Sequence, residues 1–383
     1  MKAVISKQEL VDAISKIQTL ISSKPAIPIL ANILIEALND QLVISATDLT
    51  TSMRTTTSAK VIEPGSIALP ARKFFQLVRE ITAPQLKISL ISSETAEILA
   101  GSSVFKIKGM HKNEFPSIAD FTGKAQINFE PGFLKEVLAK TSFAAAKDDS
   151  RYVLNGLYLQ IQNGEASFIG TDGKRLAKTQ TKIDLDAAFQ GAYIIPLKAV
   201  EEMIRMLDEK SATAALSLTP DRVFLENGPL MLTTKLLSGQ YPDVERVIPT
   251  ASPISLSLHR EELAALLRQV SLFTSDTSGS VKFSFADGSL LLTANSSEIG
   301  EGVVSMPVDY HKEKLEIAFN PHFFLDILRH SKDEILTFAL SDSYNPGVII
   351  DSKGSFFVIM PMRLNESVET AAEENAAFNP ALT

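Results

Sequence analysis

Leu10-Val11-Asp12-Ala13-Ile14-Ser15-Lys16-Ile17 places apolar side chains at positions 10, 13, 14 and 17. That i, i+3, i+4, i+7 spacing gathers them on one face of an α-helix. The same spacing returns five times: Phe74 with Leu77, Val78 and Ile81; Leu134 with Val137, Leu138 and Thr141; Val200 with Met203, Ile204 and Leu207; Leu263 with Leu266, Leu267 and Val270; and Phe324 with Ile327, Leu328 and Ser331. Successive starts lie 64, 60, 66, 63 and 61 residues apart. Spacing this even is the mark of an internal repeat, which has to be recognised before any fold is assigned.

Between the helical segments the chain reads as strands, among them Leu42 to Ile44, Leu157 to Ile161, Ala166 to Ile169, Val281 to Phe285 and Leu290 to Thr293. Asn163-Gly164 and Asp287-Gly288 supply the two-residue hairpin signal. Each unit is therefore one helix with several antiparallel strands. In the even units a strand runs straight into the helix, at Ile67-Ala-Leu-Pro70, Ile194-Ile-Pro196 and Ile317-Ala-Phe-Asn-Pro321. Odd and even units thus differ, and two of them make one domain. The expected fold is α+β, with three similar domains at 1–123, 124–252 and 253–364, divided near Gly123 and Ser252 in polar or proline-bearing stretches. Residues 365–383 carry Glu366, Glu369, Glu373 and Glu374 and no basic residue, the composition of a flexible acidic tail.

A chain of 383 residues with 45% hydrophobic side chains can bury several cores. It has no cysteine, so disulfides, thiolate metal sites and cysteine nucleophiles are excluded together. No apolar run is long enough to span a bilayer, and charges interrupt the first twenty residues, so a cytoplasmic protein is expected. The formal charge of −8 is the wrong sign for a protein that grips nucleic acid by neutralising phosphates.

The search for chemistry finds none. Gly170-Thr-Asp-Gly-Lys-Arg175 lacks the spacing and the Ser or Thr of a phosphate-binding loop. His111, His259, His311, His322 and His330 show no metal-ligand spacing, and no nucleophile elbow is present. Thr47-Asp48 and Thr171-Asp172 lie 124 residues apart and read as one turn used twice. No catalytic residue, metal or cofactor is expected, and the chain is not expected to be an enzyme.

Charge is unevenly placed. The six helical segments with their flanks carry 17 Lys and Arg against 13 Asp and Glu, while the remainder of the chain is strongly acidic. Lys7, Lys16, Lys135, Lys140, Arg205, Arg268 and Arg329 are among the helical cations. If the helices share one surface, an acidic body presents a weakly basic lining. Such a lining attracts phosphates without holding them, so retention on nucleic acid falls to topology.

At this point the residues resemble a known family, the β subunit of the bacterial replicative DNA polymerase, or β sliding clamp. The resembling stretches are Lys24-Pro-Ala-Ile-Pro-Ile-Leu-Ala-Asn-Ile-Leu34, Leu69-Pro-Ala-Arg-Lys-Phe-Phe75, Arg151-Tyr-Val-Leu-Asn-Gly156, Thr171-Asp-Gly-Lys-Arg-Leu-Ala177, Tyr241-Pro-Asp243 with Arg246-Val-Ile-Pro249, and Val358-Ile-Met-Pro-Met-Arg-Leu364. They fall in order across residues 1–364. The resemblance implies a head-to-tail homodimeric ring of six domains, lined by twelve helices, that encircles double-stranded DNA without sequence preference. It implies a processivity factor in DNA replication, loaded by a clamp loader, which tethers the replicative polymerase and repair proteins through short linear motifs. The alternative is a repeat-built protein-binding scaffold that does not encircle DNA.

Residue by residue, the resemblance places Phe105, Leu272 and Phe273 at the dimer interface, and turns Lys24, Arg72, Arg79, Tyr152 and Lys198 towards the duplex. A pocket for partner peptides is implied at Arg151, Leu154, Thr171, Gly173, Arg175, Leu176, Pro242, Arg246, Val247 and Asn320, completed by Val358, Ile359, Met360, Pro361, Met362 and Arg363. Leu154, Leu176, Val247, Ile359, Met360 and Met362 suit an adaptable apolar cleft, and Arg151, Arg175 and Arg246 suit the polar ends of a peptide. Four pocket positions depart from the family pattern: Lys174 stands where histidine is common, Phe323 where tyrosine is expected, and Tyr344 and Pro346 where smaller residues are usual.

Overall fold

The computed structural model describes residues 1–22, 25–120, 125–185, 187–249, 252–274 and 279–363. Lys24, the boundary residue Gly123 and the acidic stretch 365–383 lie outside the described residues.

All six expected helices form: α1 Lys7–Ile17, α2 Ala71–Glu80, α3 Pro131–Ser142, α4 Leu197–Met206, α5 Arg260–Val270 and α6 Pro321–His330. The positions that repeat at helical spacing face the cores; Ile14, Phe74, Val200, Leu267 and Phe324 are completely buried. The strand-into-helix step is not confined to the even units. Lys2–Ser6, Ala125–Phe129 and Ile254–His259 lead into α1, α3 and α5 as Gly65–Pro70, Gly191–Pro196 and Leu315–Phe319 lead into α2, α4 and α6. Proline at or beside the cap exposes the step to sequence reading in the even units. In the odd units Ser6 and His259 cap α1 and α5 without a proline, while Pro131 opens α3 behind Glu130, whose carboxylate accepts from Gly132 N at 2.8 Å and Phe133 N at 2.5 Å.

Three hairpins share one turn. Asn163-Gly164 (φ 55° and 74°) and Asp287-Gly288 (φ 48° and 76°) have both central residues left-handed, and Asn39-Asp40 (φ 51° and 56°) does the same without glycine. Asn and Asp tolerate that region because their side chains bond locally. The turns lie 124 residues apart. The polar turn after the next strand also repeats. Asp48 Oδ1 accepts from Thr50 N and Thr51 N, and Asp172 Oδ1 accepts from Lys174 N and Arg175 N.

Contacts gather the chain into two compact units. The first is Met1–Ser142, Lys147–Phe168 and Thr181–Tyr241; the second is Phe143–Ala146, Ile169–Gln180 and Pro242 onward. In the first, α1 packs on α2 and α3 on α4 over one continuous core. The sheet beneath crosses from one repeat to the next: Thr51–Ser58 pairs antiparallel with Leu230–Lys235, in the register Met53 to Leu232. A second sheet of this unit ends on Ser103–Lys108.

In the second unit α5 packs on α6 over a core rich in phenylalanine, with Phe283, Phe319, Phe324 and Phe338 all fully buried and set edge-on or offset. Here too a strand of one repeat pairs with a strand of the next, Arg175–Lys182 with Phe356–Ile359, in the register Leu176 to Val358. The unit's four-stranded sheet ends on Gly300–Pro307. Two of three equivalent strand pairs are therefore made within the chain. Gly300–Pro307 corresponds by repeat position to Thr51–Ser58 and Arg175–Lys182, and Ser103–Lys108 to Leu230–Lys235 and Phe356–Ile359. Each is outermost in its sheet, and among the described residues neither has a partner on its outer side.

Candidate partner-binding site

The pairing of Arg175–Lys182 with Phe356–Ile359 sorts the candidate pocket residues by face, because residues opposite each other in a ladder point the same way and neighbours along a strand alternate. Leu176 lies opposite Val358, which lies opposite Val348, and all three share one face. Lys178 and Phe356 continue that face. Beyond the ladder Met360 N donates to Lys174 O at 2.9 Å and Met362 N to Ala318 O at 2.8 Å, so the chain from Val358 onward is held along this side of the unit. Met360 is 39% exposed.

A 3-10 turn, Val244–Val247, stands against the same face. Val244 is buried under it and Val247 is 43% exposed. Lys178 Nζ lies 2.5 Å from Glu245 Oε1 and 5.9 Å from the Phe356 ring centroid. Arg246 Nε donates to Asp243 Oδ2 at 2.8 Å, and Pro242 is exposed at the start of the turn. Tyr344 is almost wholly exposed, on a turn where Asp342 Oδ1 accepts from Tyr344 N and Asn345 N, each at 2.8 Å. Those donors hold the Asp342 carboxyl below its ordinary range, the Tyr344 amide foremost. Pro346 follows, beside Gly347, where a Cβ would come within 2.8 Å of the Phe338 ring.

On the opposite face Arg175 lies across from Ile359, and both turn inward. Nη1 of Arg175 donates to Asp326 Oδ2 at 2.6 Å, Nη2 to Phe143 O at 3.0 Å and Nε to Asp172 Oδ2 at 3.2 Å. Its guanidinium carbon sits 4.7 Å from the Phe323 ring centroid and 5.4 Å from that of Phe143. Arg175 thus spends its donors inside the unit, and Ile359 belongs to the core. Thr171 Oγ1 donates to Arg175 O and accepts from Gly173 N, which shapes the turn carrying Lys174. Asn320 caps α6 by accepting from His322 N at 2.9 Å. Pro361 is half-buried and Arg363 exposed.

Arg151 and Leu154 belong to the first unit. Arg151 Nε and Nη2 reach Asp149 Oδ1 and Oδ2 at 3.0 and 2.8 Å, a bidentate pair, while Asp149 N donates to Asn155 Oδ1. The Arg151 side chain, then its backbone amide, lowers the Asp149 carboxyl to about 2. Leu154 is buried and Tyr152 is 55% exposed.

Of the cations expected to face a duplex, Arg72 and Arg79 are exposed on α2, Arg79 lying 5.7 Å from the Phe75 ring centroid. Lys198 on α4 is exposed and donates to Asp48 Oδ2 at 2.5 Å. Lys140 is instead buried, 3.0 Å from Glu136 one helical turn away, and Arg205 pairs with the buried Glu202, which also accepts from Thr19. Phe105 is half-buried on Ser103–Lys108, Leu272 is 71% exposed, and Phe273 packs against Gly302 of Gly300–Pro307. Sequence reasoning missed Lys178, Glu245, Asp326 and Phe143; no motif marks them, because each acts through a partner remote in sequence.

Among the described residues no helix is long and apolar enough to cross a membrane. Three family models match in succession: DNA polymerase III beta subunit, N-terminal domain at residues 1–119, central domain at 128–243 and C-terminal domain at 245–363. The beta sliding clamp of Chlamydia muridarum is 51% identical over 366 residues, covering 96% of this chain and all of that protein; that of Caulobacter vibrioides is 30% identical over 95% of this chain and all of its own length. A crystal structure of the DNA polymerase III subunit beta from Pseudomonas aeruginosa, 27% identical, superposes with a TM-score of 0.91 over 95% of this chain and all of that one. Another from the same organism, described as bound to griselimycin, gives 0.90 at the same identity and coverage. The three domains are clamp domains, and the chain belongs to the DNA polymerase III beta subunit family, the family of the beta sliding clamps.

Proposed function

We propose that two copies of this chain close head to tail into a ring around duplex DNA, and that the ring tethers a polymerase and other partners without catalysing a reaction. The supporting observation is the strand pairing. At each junction between repeats within the chain, a strand of the Thr51–Ser58 type pairs with one of the Leu230–Lys235 type. Gly300–Pro307 and Ser103–Lys108 are the remaining pair of that kind, and a second copy of the chain supplies the missing partner to each. Both protomer contacts are then the same contact, and the assembly is closed. The edges are complementary in charge, with Lys106 and Lys108 on one and Glu298 and Glu301 on or beside the other. Phe105, Leu272 and Phe273 supply apolar surface to the same seam.

The helices line the hole in this reading, with Arg72, Arg79, Tyr152 and Lys198 towards DNA. Several helical cations are partly neutralised by their own carboxylates, as at Lys198–Asp48, Lys140–Glu136 and Arg205–Glu202. The remaining attraction is weak and indifferent to sequence, which suits movement along a duplex. Retention comes from closure. A clamp loader opens one seam, and the ring then keeps a bound polymerase at high local concentration near its primer, so that rebinding outruns diffusion.

In this reading the partner groove consists of Leu176, Val358, Met360 and Val247, with Met362 and the exposed Tyr344 at its margins and Arg246, Lys174 and Arg363 for the polar ends of a peptide. It takes the apolar residues of a short linear motif. Arg175, Asn320 and Phe323 support it from behind. In this reading the three clamp domains divide near Gly123 and Ser252, and the protein acts on DNA in the cytoplasm.

Light scattering on the purified chain at micromolar concentration tests closure. A mass of two chains is expected. A mass of one chain contradicts the ring and favours a monomeric scaffold.

A further inference from the structure

Lys178 is an unusual residue to find at 12% side-chain exposure on a groove face. Burial of a lysine is costly unless its charge is met, and here two groups meet it: the Phe356 ring and the Glu245 carboxylate. Glu245 sits in the turn Val244–Val247, whose Val247 forms one side of the groove. The turn's other side-chain bond, Arg246 to Asp243, closes within the segment itself and ties it to nothing else. Among the described residues Lys178–Glu245 is therefore a polar link from this turn to the sheet that carries Leu176 and Val358.

We infer that the Lys178–Glu245 ion pair is a positioning device for the partner-peptide groove, fixing the distance between Val247 on the turn and the Leu176–Val358 row on the sheet. This rests on the groove assignment above. Neither residue needs to touch the peptide. Lys178 keeps its ammonium at the edge of the face while its stem lies along Phe356, so one side chain both packs the sheet and holds the turn. Without the pair, the turn keeps its internal bonds and Val244 stays buried, but the free peptide site samples wider openings. Part of the binding energy then goes into closing it.

The test is a double-mutant cycle on the full chain with fluorescently labelled griselimycin as probe. Lys178→Met and Glu245→Gln are each expected to weaken binding about twofold to fivefold, the range of a partly exposed ion pair. The double variant should be no weaker than either single one, and Lys178→Arg, which keeps the charge and the ring contact, should bind within about twofold of the parent. Losses that multiply in the double variant, or single variants that bind like the parent, overturn the proposal. So does a parent chain whose griselimycin binding is absent or is left unchanged by Val247→Asp, but either outcome removes the groove as the probe's site, and it is told apart because Lys178 and Glu245 are intact when it appears.

Discussion

Arg175 and Asp326 are joined at 2.6 Å across 151 residues of chain, and the arginine reaches Asp172 and Phe143 O with its other donors while lying over two phenyl rings. A planar guanidinium can serve three acceptors and stack at once; an ammonium cannot. The pair ties α6 to the turn that begins the central groove strand. In this chain the arginine's side-chain donors bond within the second unit.

Replacing Arg175 by alanine leaves Asp326 and the Phe143 carbonyl short of a donor in a largely buried place. A loss of about 1.5–3 kcal/mol is expected by chemical denaturation, because Asp326 keeps 31% side-chain exposure. Arg175→Lys recovers less than half of it. An alanine variant within about 0.5 kcal/mol of the parent would show the network to be ornamental.

In the proposed ring, closure depends on Leu272, an exposed side chain that does little for the fold of one chain, and on Phe105, which is half-buried against the core. Leu272→Asp and Phe105→Asp are expected to give monomers in sedimentation velocity. The Leu272 variant should melt within a few degrees of the dissociated parent, since Leu272 is 71% exposed. A Leu272→Asp variant that remains fully dimeric at low micromolar concentration counts against this seam.

Asp149 gives a pH signature. Its folded carboxyl titrates at about 2, below the ordinary 3.8, chiefly because Arg151 donates to it. A depressed carboxyl stabilises the folded state above its ordinary pKa, and that contribution is lost as the pH falls from about 3.8 towards 2. Carboxyl-carbon NMR should place Asp149 near 2 in the parent and higher, though still below 3.8, in Arg151→Ala, which keeps the backbone amide donor. An unchanged titration in the variant removes Arg151 as the cause.

The lining should attract DNA only weakly. Arg72→Ala with Arg79→Ala is expected to weaken binding to short linear duplexes equally for unrelated sequences. The slope of log affinity against log salt should fall by roughly one per cation removed. A loss confined to one sequence points to base reading, which this surface is not built for.

Much of this was legible in the chain. Helical spacing located all six helices because amphipathic segments carry their own signal, and Asn163-Gly164 and Asp287-Gly288 marked their turns because few residues accept two left-handed positions. Asn39-Asp40 makes the same turn, but without glycine it is a weaker signal. The family resemblance named candidate groove residues, yet which face each side chain takes was not legible from it. Ile359 and Arg175 turn into the second unit because the register with Phe356–Ile359 puts them there, and register between strands about 180 residues apart leaves no local trace. Lys140 looked like a lining cation until the helix placed it against Glu136 on the buried side.

The most direct test of the central claim compares retention on nicked circular DNA with retention on the same DNA after linearisation, following loading by a clamp loader at physiological salt. Encirclement predicts that the protein stays on the circle through gel filtration and is lost once the ends are free. Equal retention on both forms, or loss from both, would contradict it.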